Sequence, residues 1–63
     1  MIEIPSDVYD QLEEIRQEGR VNMLDYYGVM QIANEYDMFE LVVWLDENKK
    51  LYAEGIFKGF EPI

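Results

Sequence analysis

Neither cysteine nor histidine occurs among the 63 residues of this chain. No disulfide framework and no thiolate or imidazole metal site can therefore hold its fold. Apolar packing alone must do so, and at this length one core is marginal enough that a second copy often supplies missing burial. The composition permits a core: 49% of residues are hydrophobic and 14% aromatic, enough apolar area to offset chain entropy. Against this stands a formal net charge of -9, from 14 acidic and 5 basic side chains, which adds self-repulsion to every compact state. A single small domain over residues 1–63 is expected.

Apolar spacing points to an all-α fold, a compact three-helix domain. Pro5-Ser6-Asp7 is a helix-start signal, with Ser6 as N-cap and Asp7 complementing the helix dipole. Val8, Leu12 and Ile15 then form one apolar stripe, with Tyr9 beside them. Asp7, Asp10, Glu14 and Glu18 form an acidic stripe on another side, and Gly19 supplies a stop. This predicts a first helix over 6–18. A second is predicted over 25–36, with Asp25 as cap, Tyr26, Val29, Met30 and Ala33 facing in, and Ile32 and Tyr36 at the edge.

Asp37-Met38-Phe39-Glu40 has the spacing of a capping box. The run Leu41-Val42-Val43-Trp44-Leu45 suits a strand or a helix, but residues 46–54 have high helix propensity and offer an Asp46–Lys50 pair. The longest helix is therefore predicted over 38–54, ended by Gly55. The remaining tail, Ile56 to Ile63, is too apolar to be a solvated leftover. It is expected to pack across the helices or to pair as a short strand with Ile2-Glu3-Ile4. No basic, apolar leader opens the chain, and the block Leu41 to Leu45 is far too short to span a bilayer, so neither export nor a membrane is expected.

Chemistry is restricted by what is missing. Without histidine or cysteine, Ser-His-Asp and Cys-His nucleophiles are excluded, as are the usual zinc, copper and haem ligands. Ser6 is the only hydroxyl among serine and threonine, and no phosphate loop or dinucleotide fingerprint occurs. The pairs Glu13-Glu14 and Asp46-Glu47 are adjacent in sequence, so on a helix they diverge by about 100° rather than converging on a substrate. No calcium-loop spacing is present. No enzyme activity, catalytic residue, metal or cofactor is expected.

Two patterns bear on partners. Val29-x-x-Ile32-Ala33-x-x-x-Asp37-x-x-x-Leu41 is close to helix-turn-helix spacing, with aspartate where glycine is usual. The second helix of that motif would however lead with Glu40 and continue through Asp46 and Glu47, a poor match for phosphates. The other pattern is a surplus of large apolar groups. Phe39, Val43 and Trp44, with Phe57 and Phe60 of the tail, exceed what one small core needs and are expected to form a self-association surface, most simply in a homodimer.

Residues 12–57 also carry a resemblance. The elements Ile15-Arg16-x-x-Gly19-x-x-Asn22-Met23-Leu24-Asp25, Val29-x-x-Ile32-Ala33, Glu40-Leu41-Val42 and Asn48-Lys49-Lys50-x-Tyr52 resemble a family of short phage and prophage proteins whose domain has no assigned function. Gly-x-x-Asn-Met-x-Asp is the specific part. Leu24 stands where the family pattern has phenylalanine, and Asp37 where it has glycine. The resemblance implies a protein acting in the cytoplasm of a bacterial host. Small acidic phage proteins commonly bind one host protein, often inhibiting a defence or nucleic-acid-handling enzyme. The expected partner is then a host protein with a basic surface, met by Asp7, Asp10, Glu14 and Glu18. Direct nucleic-acid binding is not expected. The competing expectations are a helix-turn-helix DNA regulator and a phage structural or assembly accessory.

Overall fold

The computed structural model describes residues 1–63 as four helices closed by one pair of short strands: β1 (Ile2–Ile4), α1 (Ser6–Glu18), α2 (Tyr26–Glu35), α3 (Phe39–Glu47), α4 (Lys49–Lys58) and β2 (Phe60–Pro62). The all-α expectation holds, with one helix more than the three predicted. No helix is long and apolar enough to cross a membrane.

Helix α1 has the predicted bounds, buries Val8, Leu12 and Ile15, and ends on Gly19 in the left-handed region at φ 72°. The cap assignment needs correction. Pro5 holds the N-cap position and Ser6 is the first helical residue, with no side-chain cap bond. Proline cannot donate, and its fixed φ makes it a natural lead into the first turn. Helix α2 starts as expected, the Asp25 side chain accepting from the Gly28 N–H at 3.0 Å. Its buried residues are Val29, Ile32 and Ala33, so Ile32 belongs to the core rather than its edge.

The long third helix does not exist as one piece. Asn48 leaves helical geometry at φ -133°, ψ 43°, and its N–H reaches back to the Leu45 carbonyl instead of Trp44. The Trp44 carbonyl, deprived of that partner, accepts from the Asn48 side-chain amide at 3.0 Å. The break lies between Asp46 and Lys50, and no ion pair joins them. It redirects α4 so that Tyr52 and Gly55 are buried against the rest of the core. Gly55 lies inside α4 rather than ending it. A Cβ there would collide with the Phe60 ring, so glycine serves close approach, and Gly59 at φ 89° makes the exit.

The capping-box reading also fails. Met38, not Asp37, holds the N-cap position of α3, with no side-chain cap bond of its own. Asp37 takes the left-handed conformation, φ 55°, that its place in the α2–α3 turn demands.

Strands β1 and β2 are parallel, with Ile2 opposite Phe60, Glu3 opposite Glu61 and Ile4 opposite Pro62. All four helices form the crossover between them, which ties the two ends of the chain together. Ile2 N–H donates to the Gly59 carbonyl and Ile63 N–H to the Ile4 carbonyl, both at 2.9 Å. The tail thus fulfils the strand alternative only over Phe60–Pro62, its first residues continuing α4 to Lys58 instead. It also brings Phe60 edge-on to Trp44, ring centroids 6.0 Å apart, and alongside Tyr52 at 6.0 Å.

Candidate partner-binding faces

Acidic residues on α1 follow from helical periodicity once Val8, Leu12 and Ile15 point inward. Asp7, Asp10, Glu14 and Glu18 are all exposed, as predicted. Few acids of this chain hold the fold together: only Glu13, Glu18 and Glu35 make ion pairs. Asp7 is spent locally, accepting from the Val8 N–H at 2.8 Å. Asp10 and Glu14 have no cationic partner.

Neighbours that the sequence did not reveal extend this face. Gln11 bridges α1 to α3: its amide donates to Glu40 Oε1 at 2.8 Å, and its carbonyl oxygen accepts from the Leu41 N–H at 3.0 Å. One side chain of α1 thereby caps the start of α3 and sets Glu40 beside the α1 acids. The Glu40 carboxyl is held below its ordinary pKa by the Gln11 hydrogen bond and then by a backbone N–H. At the far end of α1, the Tyr36 hydroxyl donates to Glu18 at 2.6 Å and accepts from Arg20 at 2.5 Å. Its pKa is raised, mainly because deprotonation would break the bond to Glu18. Glu14, Glu18, Tyr36 and Met38 line a shallow notch here.

The five residues expected to self-associate are divided by the fold. Trp44 is buried at 9% exposure and Phe60 half-buried, both packed internally. Phe39, Val43 and Phe57 stay outside at 65%, 54% and 81%. Phe39 and Val43 sit one turn apart on α3 among the exposed Glu40, Asp46 and Glu47. Phe57 lies on α4, beside Leu24 and Tyr26.

A larger cleft of about 400 Å³ lies between α1 and the end of α4, floored by Leu12, Met23, Ile56 and Phe60. Its two charged groups satisfy each other: Arg16 pairs with Glu13 at 2.7 Å, and this hydrogen bond holds the Glu13 carboxyl below its usual range. No buried side-chain polar atom lacks a partner, and no three acids converge as metal ligands would. What the surface offers is charge and apolar area. Val29, Ala33 and Leu41, which carry the helix-turn-helix spacing, are fully buried around the Asp37 turn.

A family model described as Domain of unknown function (DUF5049) matches residues 4–60. The chain belongs to that family. No curated protein and no solved structure matches it.

Proposed function

We propose that this DUF5049 protein is a phage-encoded, non-enzymatic binding module that occupies a basic surface of a host protein. The target would be a defence or nucleic-acid-handling enzyme in the bacterial cytoplasm, whose cationic channel the carboxylates fill in place of phosphates. One observation carries the reading: Asp10 and Glu14 stand exposed on α1 with no cation of their own. They are flanked by Asp7, Glu18 and Glu40, while the fold is held by an apolar core. Beside them, the notch of Glu14, Glu18, Tyr36 and Met38 keeps Glu14 free for a lysine or arginine side chain, since Arg20 already engages Glu18 and the Tyr36 ring.

Capture from a bacterial lysate tests the reading. The protein should retain a basic partner that is released as salt rises, because screening weakens contacts between exposed charges. Asp10→Lys with Glu14→Lys should abolish retention without altering the far-ultraviolet circular dichroism. Retention indifferent to both salt and charge reversal removes the electrostatic reading. The α2–α3 turn favours the DNA-regulator alternative, which a gel-shift assay at about 50 mM salt decides, since phosphate attraction is strongest there.

A further inference from the structure

Besides the acidic face, the molecule has a second unpartnered surface of more balanced charge. Helix α4 carries three of the chain's 5 basic residues, Lys49, Lys50 and Lys58, against one acid, Glu54, with the Asp46 charge acting on Tyr26 and the Asp25 charge on Tyr52 beside it. Packed beside α2, it leaves a hollow of about 160 Å³ lined by Leu24, Tyr26, Tyr52, Ala53, Ile56 and Phe57. That matches the apolar cavities of about 150 Å³ that admit a benzene ring. Lys49 closes one side, its ammonium donating to the Tyr27 hydroxyl at 2.7 Å and lying 4.7 Å from the Tyr27 ring centroid and 5.3 Å from that of Tyr26. At the rim, Phe57 projects into solvent at 81% exposure, with Leu24 at 61% and Tyr27 at 69%.

We propose that this surface binds a second copy of the chain, the Phe57 ring of each copy entering the α2–α4 hollow of the other about a two-fold axis. Two arguments select that occupant. Projection and receptor lie side by side on one face, which is what a self-complementary two-fold contact requires. Charge then selects this face over the rest. Two chains of net charge -9 repel, and the contact that costs least is the one with the highest local share of cations. The apolar pair Phe39 and Val43 lies instead among Glu40, Asp46 and Glu47, where two copies would juxtapose acids. The contact is small. With roughly 150–250 Å² for an aromatic side chain, Leu24, Tyr27, Phe57 and the lysine stems supply about 900 Å² in total, below the ~1,200 Å² of a stable interface. The dimer is therefore weak and concentration-dependent.

Sedimentation velocity on the full chain from about 10 μM to about 1 mM, concentrations that titrate a weak dimer, provides the test. The unmodified protein should pass from monomer to dimer, and the dimer should strengthen with added salt as the net repulsion is screened. Phe57→Glu and, separately, Ala53→Glu, both at exposed positions, should weaken dimerisation at least about tenfold by putting a carboxylate into the hollow. Phe39→Glu should leave it unchanged. A monomer at every concentration overturns the proposal and leaves the hollow to a different protein. So does a dimer lost in Phe39→Glu but retained in Phe57→Glu. The opposite salt response keeps this test separate from that of the acidic face.

Discussion

Replacing Gly55 by alanine should destabilise this protein, although helix propensity alone says the reverse. Gly55 lies inside α4 with an ordinary negative φ, and alanine at such a site normally stabilises a helix by about 1 kcal/mol. Here the added Cβ would overlap three atoms of the Phe60 ring. The ring has little freedom to move aside, because β2 is anchored to β1 and the ring packs on both Trp44 and Tyr52. Overpacking costs about 1–3 kcal/mol, and displacing the ring forfeits two aromatic contacts of about 0.5–1.5 kcal/mol each. After the propensity gain, the net loss should be about 1–5 kcal/mol. In a domain of this size each kcal/mol lowers Tm by about 4–8 °C. Thermal unfolding followed by circular dichroism measures it. Phe60→Ala is the decisive background, for once the ring is gone Gly55→Ala should raise Tm. An increase in the unmodified protein, or an equal decrease in both backgrounds, would refute the assignment of Gly55 to close approach.

Three further outcomes follow from particular side chains. Burial, with the Asp25 charge nearby, pushes the Tyr52 phenol from 10.0 up to about 12. The unfolded chain therefore loses this proton first, and stability should fall by up to about 2–3 kcal/mol between pH 10 and 12. Denaturant titrations across that window should show a shallower fall in Tyr52→Phe, which also gives up the bond to the Met23 carbonyl. Gln11→Ala should cost about 1 kcal/mol by uncapping α3, and nuclear magnetic resonance titration should find the Glu40 carboxyl returned towards its ordinary pKa. Asp37→Gly should stabilise by about 1 kcal/mol by relieving left-handed strain at φ 55°; a lower Tm would mean that the aspartate side chain contributes something the backbone argument omits.

The acidic face was legible in the sequence because it needs only one helix to be placed correctly. Once Val8, Leu12 and Ile15 are inward, the 3.6-residue period puts Asp7, Asp10, Glu14 and Glu18 outward without knowledge of any other element. What borders that face was not legible. Glu40 joins it through Gln11, 29 residues away, and Tyr36 reaches Glu18 across 18; no periodicity links positions that far apart. The hollow of α2 and α4 was missed for a related reason. With 38–54 read as one helix and Gly55 as its end, Phe57 belonged to a tail, whereas in the fold it continues α4 beside Leu24 and Tyr26.

By itself the sequence determined what depends on neighbours within a turn or two. That includes the bounds of α1 and its inward face, the Asp25 cap, the left-handed Gly19 and the surplus of negative charge. Local hydrogen bonds, helical period and side-chain charge are set within a few residues, so they can be read along the chain. Only the tertiary structure decided where α3 gives way to α4. Asn48 breaks the helix because its amide can satisfy the Trp44 carbonyl while α4 turns to bury Tyr52, a gain made against residues distant in sequence. The same holds for Trp44 and Phe60, whose apolar area says only that each must be covered. That they cover each other, and leave Phe57 outside, follows from β2 pairing with β1 at the opposite end of the chain.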